Sequence, residues 1–372
     1  MAHLRRASLY RPAEWAHHAR TILAWPGAKT QYYREVPGSL PLATKDVSAI
    51  AEAVARFEPV TLVVQRDRLA EAQKRFAPGS TKNEVRLHPI SGDHLDLWMR
   101  DIAPTFVLKR DPGSGTGVLH GVDFNFNGWG NKFPTDTCAA LARTLLRDTE
   151  VERVKSSLVT EGGAIEIDGE GTLAATESSI INDNRNPGQS RQDIEAELRR
   201  TLGVEKFIWI PGVVNGEATD CHIDAFVRFA RPGAVLLSKP SESEPKDSVW
   251  VRAYEEAVDI LSSSKDARGR SFEVIEISEP DISALNLDRG FLESLEDSEE
   301  QLPAFNYVNY LLVNGGLIFP QFGAEKADAA ALETIKQVFG KDREVATVHL
   351  KELPLIGGGI HCATQEVPLT EP

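Results

Sequence analysis

The chain has 372 residues, 41% of them hydrophobic, which is enough for a large core in one or two domains. Its formal net charge of −14 disfavours nucleic acid and anionic membranes as partners. That charge is compatible with a cationic substrate, although an acidic surface also simply keeps a protein in solution. Three cysteines, Cys138, Cys221 and Cys362, lie in distant segments, which argues against a disulfide framework and for a reducing, cytoplasmic compartment. No stretch reads as a secretory signal or a membrane span.

The expected elements follow in chain order. Residues 21–25 read as a short strand ended by Pro26-Gly27. Asp46 is placed to cap a helix with Val47, Ile50, Val54 and Phe57 on one face and Pro59 as its stop. A buried strand over residues 60–64, a helix over 67–76 and a strand over 84–88 come next. Residues 105–108 and 121–124 read as strands around a turn-rich connection, and Pro134 opens a helix carrying Leu141, Leu145 and Leu146. Further strands are expected over 164–167 and 172–175, then a helix begun by a Ser190–Asp193 capping pair and ended at Gly203. Strands over 207–210, 223–229 and 234–237 follow, with a helix capped by Asp247. Residues 288–303 are acidic and read as a surface loop. Asn314-Gly315 joins strands over 308–313 and 317–319 in a hairpin, before a helix over 327–339 and a strand over 344–350. Strand pairs thus alternate with single helices, and no linker marks a domain boundary. The pattern argues an α/β chain, one domain over residues 1–372, built from repeated strand–strand–helix–strand units.

Five stretches combine reactive and turn residues. Gly357-Gly358-Gly359 precedes Ile360-His361-Cys362, and such a triplet suits a close backbone approach or a turn with positive φ. Cys362 is there either a nucleophile beside exposed amides or a buried thiol at a strand end. Asp101, next to Arg100 and Trp98 and before Pro104, is either a binding carboxylate beside an aromatic wall or half of an ion pair. Glu161 stands at a Gly162-Gly163 turn. Residues 182–188 are turn chemistry and read as structural. If Ile223 begins a strand, His222 and Asp224 project from one side, as acid–base work on a bound group needs. A metal reading of Cys221, His222, Asp224, His361 and Cys362 is disfavoured, because no spacing matches a zinc module.

Taken together, these motifs resemble the agmatine deiminase family, which shares its catalytic domain with bacterial-type peptidylarginine deiminases. The resemblance is carried by Pro12-Ala13-Glu14-Trp15, Trp98-Met99-Arg100-Asp101, Val122-Asp123-Phe124-Asn125-Phe126-Asn127, Glu161-Gly162-Gly163, Asn184-Arg185-Asn186-Pro187, His222-Ile223-Asp224, Tyr307-Val308-Asn309 and Gly358-Gly359-Ile360-His361-Cys362. It implies a pentein-type α/β propeller, five ββαβ-like units around a pseudo-fivefold axis with the site in the central channel. It implies Cys362 as nucleophile, His222 as general acid–base, Asp101 and Asp224 as the guanidinium-binding pair and Glu161 as a further acid. Trp98, beside Asp101, is expected as the aromatic wall of the substrate site. The implied reaction is hydrolysis of agmatine to N-carbamoylputrescine and ammonia, with no metal or organic cofactor. The expected partner is a small cationic guanidino compound, and a homo-oligomer is compatible with the sequence.

The chain departs from the family pattern at several positions. Ala218 stands where an acid is usual, with Glu217 beside it. Cys221, Ala225, Glu166 and Ala103 replace the usual Gly, Asn, His and Gly. Gly128-Trp129-Gly130 stands where the peptidylarginine branch places arginines for an α-carboxylate, which favours a decarboxylated substrate. The rival readings are a peptidylarginine or other guanidine deiminase, and a non-catalytic binding protein on the same fold.

Overall fold

A computed structural model describes residues 9–370 except 31, 34, 35, 37, 93, 111–116, 286 and 288–302. Two strands that run parallel need a crossover between them, and here amphipathic helices supply it. Strands β5 (Thr105–Arg110) and β6 (Gly117–Asp123) pair antiparallel, and helix α3 (Asp136–Asp148) returns the chain to β7 (Glu152–Lys155), parallel to β6. The same unit recurs with β8 (Glu166–Ile167), β9 (Thr172–Thr176), α4 (Arg191–Leu202) and β10 (Lys206–Ile210). It recurs again with β11 (Val227–Arg231), β12 (Ala234–Lys239), α5 (Val249–Ser263) and β13 (Glu273–Ser278). A fourth copy is β14 (Leu311–Val313), β15 (Gly316–Gln321), α6 (Glu325–Phe339) and β16 (Glu344–His349).

The fifth unit is split between the two ends of the chain. Strand β17 (Thr364–Pro368) pairs antiparallel with β2 (His18–Ala24), and α1 (Ser39–Val54) leads to β3 (Val60–Gln65), parallel to β2. Helix α2 (Leu69–Arg75) then leads to β4 (Val85–Ile90), added beside β3, while β1 (Leu9–Tyr10) is added beside β5. The molecule is therefore α/β with five mixed sheets among the described residues.

The apolar faces of the helices close cores between neighbouring units. One core joins Ile22, Val63 and Val367 of the split unit to Phe106 and Leu141 of the first. The next joins Val107 and Val122 to Leu173, Ile194 and Leu198, and a third joins Ala174 and Ile208 to Val227, Val235 and Leu261. The largest runs from Leu236 and Ile277 through Leu312, Ile318 and Ile335 to Val47, Ile50 and Leu62, back in the split unit. The series of contacts returns to its start.

Several expected caps fall elsewhere. The Ser190–Asp193 capping box and the Gly203 C-cap, at φ 70°, are formed. Helix α1 instead begins at Ser39, so Asp46 lies inside it and its Oδ2 accepts the N–H groups of Lys351, Glu352 and Leu353. Ser248 rather than Asp247 caps α5, and Thr135 caps α3 two residues beyond Pro134's neighbour Phe133. Gly315 turns the hairpin at φ 71°, but the first strand of that hairpin is short, because residues 307–308 form a turn. The acidic stretch 288–303 lies, but for Pro303, outside the described residues.

Candidate active site

In every unit the turn just before the first strand carries candidate chemistry. The five turns are residues 98–102 before β5, 161–164 before β8, 222–225 before β11, 307–310 before β14 and 357–363 before β17. Equivalent positions in five similar units converge, so residues from the whole length of the chain meet.

Asp101 sits on the short helical turn Met99–Ile102. Its Oδ2 accepts the indole N–H of Trp129 at 2.9 Å and its Oδ1 accepts the Gly163 N–H at 3.0 Å. Trp129 holds φ at 54°, in the left-handed region where a bulky residue is an outlier, between Gly128 and Gly130, which are also left-handed. The indole thus orients the carboxylate from a backbone that only this loop supports. The flanking glycines were the sequence signal for it.

His222 and Asp224 do not lie on a strand. Residues Ile223–Ala225 form a 3-10 turn, and β11 starts only at Val227. The turn still brings both side chains to Asp101. A side-chain carbon placed on Gly163 would stand 2.6 Å from His222 Nδ1, 2.9 Å from Asp101 Oδ1 and 3.2 Å from Asp224 Oδ2. The space these three groups share exists because residue 163 has no side chain. His222 Nε2 is 3.4 Å from Glu161 Oε2, an ion-pair distance without hydrogen-bond alignment. Both ring nitrogens of His222 and Asp224 Oδ1 are buried and lack hydrogen-bond partners among the described residues.

Glu161 is fully buried and held by Arg185, whose Nε lies 3.0 Å from each carboxylate oxygen. Arg185 Nη1 also donates to Asp220 Oδ2 at 2.7 Å. The stretch 182–188 is therefore turn chemistry that also delivers a buried arginine to the site.

Cys362 Sγ lies 3.6 Å from Asp224 Oδ2 and 3.2 Å from the Nδ2 of Asn309. Cys138 and Cys221 are buried, whereas Cys362 is half-buried. The glycine triplet serves two purposes. Gly357 turns at φ 86°, while Gly358 and Gly359 permit close approach: a side-chain carbon would stand 2.4 Å from the Trp98 ring and 2.4 Å from Asn309 Oδ1 respectively. Trp98 thus walls the cysteine loop.

Behind these groups runs a buried polar chain that sequence reading missed. Asp224 Oδ2 meets His361 Nδ1 at 2.6 Å, and His361 Nε2 meets Glu14 Oε2 at 2.7 Å. Arg228 Nη2 donates to the same Glu14 oxygen at 2.7 Å, and its Nε lies 3.2 Å from Glu166 Oε2. Glu166 is thus the counter-ion of a buried arginine. Ala218 brings no acid, and Glu217 is turned onto its own loop, accepting from Thr219 and the Cys221 N–H.

These surroundings set the charges. Burial raises the Asp101 carboxyl to about 6, against His222 and with the like charges of Asp224 and Glu161. Burial also opposes the Asp224 charge, but the hydrogen bond and charge of His361 outweigh it and hold that carboxyl below its ordinary value. Burial works against a charged His222, yet Asp101, Glu161 and Asp224 raise it to about 9. Burial, then Asp224 and Asp101, push the Cys362 thiol well above its ordinary value. The amide-rich loop alone does not make a thiolate. These surroundings favour a protonated thiol and an imidazolium beside carboxylates. No group of three or more His, Cys, Asp and Glu among the described residues is arranged to hold a metal ion.

A family model described as Porphyromonas-type peptidyl-arginine deiminase matches residues 10–368. Agmatine deiminase of Ectopseudomonas mendocina (strain ymp) is 37% identical over 375 residues, covering 98% of this chain and 96% of the relative. This chain belongs to the agmatine deiminase family. These are hydrolases acting on the C–N bonds of amidines. Agmatine deiminase of the plant Medicago truncatula is 35% identical, with 96% of each chain covered. The solved agmatine deiminase of Enterococcus faecalis superposes with a TM-score of 0.82 at 27% identity, covering 97% of this chain and 96% of that one. No helix among the described residues is long and apolar enough to cross a membrane.

Proposed function

We propose that the chain hydrolyses agmatine to N-carbamoylputrescine and ammonia through a covalent amidino-cysteine on Cys362. The observation that carries this reading is the convergence of Asp101, Asp224 and His222 on one point beside Cys362, with buried polar atoms left unpartnered there. A guanidinium is planar, permanently charged and rich in N–H donors, so two carboxylates can hold it and fix its carbon before the sulfur.

The charges support an order of events. The cation neutralises the field of Asp224 and Asp101 that opposes the thiolate, and the thiol proton leaves to solvent. The thiolate attacks the guanidinium carbon. Imidazolium His222 protonates one departing nitrogen, the C–N bond breaks, and ammonia leaves. His222, now neutral, takes a proton from water as it attacks the amidino carbon. The C–S bond breaks, and the carbamoyl product leaves. Glu161, fixed by Arg185, supports His222 whenever it is the imidazolium.

The relatives from Ectopseudomonas mendocina and Medicago truncatula, matched along the length of the chain, are agmatine deiminases, which favours that substrate. The arginines near the site favour it too. Arg100, Arg185 and Arg228 are each ion-paired to buried carboxylates, so none of them is free for the α-carboxylate of arginine. The five repeated units and their cyclic series of cores support a propeller in which the five turns line a central channel. Three cysteines in distant segments of the chain fit a reducing cytoplasm.

Ammonia release from agmatine, free arginine, peptidyl arginine and longer or shorter guanidinoalkylamines tests the reading. Agmatine should lead arginine by at least about hundredfold in kcat/KM, roughly 2.8 kcal/mol. Preference for arginine or a peptide would overturn the choice of substrate. Absence of release from every guanidine would overturn the deiminase reading.

A further inference from the structure

We propose that Asp220, gripped by Lys132, is the positioning residue for His222, and that it acts through the backbone turn from which the imidazole projects. The other charged side chains of the site have anchors of their own. Asp101 is held by Trp129 and the Gly163 N–H, Glu161 by Arg185, and Asp224 by His361. Both ring nitrogens of His222 lack a hydrogen-bond partner among the described residues, so no contact of that kind fixes the ring. Its place follows from its main chain.

That main chain is held in an unfavourable shape. Asp220 and Cys221, the two residues before His222, have φ of 63° and 69°. A single Asp tolerates the left-handed region and a Cys does not, so two such residues in a row persist only where the surroundings over-determine them. The Asp220 carboxylate, 0% exposed, supplies that determination. Its Oδ1 accepts Lys132 Nζ at 3.0 Å and the Asn215 N–H at 2.8 Å, and its Oδ2 accepts Arg185 Nη1 at 2.7 Å and Asn184 Nδ2 at 3.0 Å. Burial opposes the charge, but Arg185 and these other donors hold the carboxyl below its ordinary value.

Lys132 does more than neutralise Asp220. Its Nζ also donates to the carbonyls of Glu217 and Ala218, each at 3.1 Å, so one ammonium ties together the turn that ends at His222. Lys132 follows the loop that carries Trp129, the indole that orients Asp101. Arg185 is the group that fixes Glu161. Asp220 is bonded to both, and it thereby sets His222 in register with the two carboxylates it faces. Proton transfer to a departing nitrogen needs that register, because misplacement of the acid by about 1 Å is enough to cost most of its effect.

The inference rests on His222 as the acid–base of the proposed deiminase, and its decisive arm needs no substrate. Asp220→Asn removes an anion and still tolerates the left-handed backbone. Lys132→Met removes a cation from a side chain that is 27% exposed. A change of field alone would move the titration of His222 in opposite directions, down in the first variant and up in the second. A ring released from Asp101, Glu161 and Asp224 would instead titrate lower in both. NMR of isotope-labelled histidine, with the His222 signal assigned by its loss in His222→Gln, should show the midpoint falling by at least about one unit in each variant. The kcat for agmatine should fall at least about tenfold with KM within about threefold of wild type, because the guanidinium carboxylates keep their anchors. Should only Lys132→Met fold, its downward shift alone supports the proposal, since field alone predicts a rise. Shifts of opposite sign, an unmoved midpoint in both variants, or loss of folding in both would overturn it. If the wild type releases no ammonia from any guanidine, the deiminase reading falls, while the titration still decides what holds His222.

Discussion

Asp224 faces Cys362 with one carboxylate oxygen, 3.6 Å from the sulfur, and that same oxygen is the one bound to His361. In the proposed deiminase, the carboxylate that receives the cation therefore also suppresses the nucleophile until the cation arrives. Asp224→Asn should move two measurements in opposite directions. The Cys362 thiol should be alkylated at lower pH in the free enzyme, because a repelling charge is gone. Turnover of agmatine should fall by several orders of magnitude, for loss of a desolvated charge partner on the order of 3–5 kcal/mol. A loss below about tenfold, roughly 1.4 kcal/mol, would remove Asp224 from the guanidinium site.

His222 gives a pH-dependent stability. Its folded value is about 9 against an ordinary 6.5, despite burial, because of Asp101, Glu161 and Asp224. A raised histidine contributes stability that is fully present below the ordinary value and is lost as pH rises through the folded one. The Tm advantage of wild type over His222→Gln should therefore be large at about pH 6 and shrink by about pH 9.5. A constant difference across that window would mean that the folded protein holds His222 neutral.

Gly163→Ala should damage activity far more than folding. The new methyl group would stand 2.6 Å from His222 Nδ1 and 2.9 Å from Asp101 Oδ1, in the space where the three site side chains meet. A loss of kcat/KM of at least about hundredfold is expected, with a change in unfolding free energy below about 2 kcal/mol. Wild-type kinetics in this variant would show that the substrate does not enter between those groups.

Arg228 and Glu166 should be strongly coupled. Removing the arginine alone leaves Glu14 and Glu166 buried without their shared cation, on the order of 3–5 kcal/mol in denaturant unfolding. Arg228→Met combined with Glu166→Gln should cost clearly less than the sum of the two single changes, by at least about 1 kcal/mol. Additive costs would show that the pair is not an interacting unit.

Ala218→Glu should lower KM for agmatine with kcat nearly unchanged, since a distal contact is made equally in ground and transition states. The neighbouring Glu217 does not substitute for it, because its carboxylate is bound by Thr219 and the Cys221 N–H. An unaltered KM would mean that the distal ammonium does not reach this loop.

Local chemistry governs the features that were legible in the order of residues. The Ser190–Asp193 box, the Gly203 cap and the Asn314-Gly315 hairpin each depend on partners a few residues away, and each formed where expected. Repetition of strand, strand, helix and strand was equally readable, since it follows from period and turn signals. Motif resemblance pointed to Asp101, Glu161, His222, Asp224 and Cys362, and the fold brings these together. The remaining features depend on groups far apart in the chain. Asp46 looked like a helix cap from its neighbours, but it binds backbone 305 to 307 residues away. Asn309 meets Cys362 across 53 residues, and Glu14 meets His361 across 347. Nothing in local propensity records such pairings, because a buried carboxylate or amide takes its role from whichever group shares its desolvated space, and that neighbour is chosen by the packing of five units against one another.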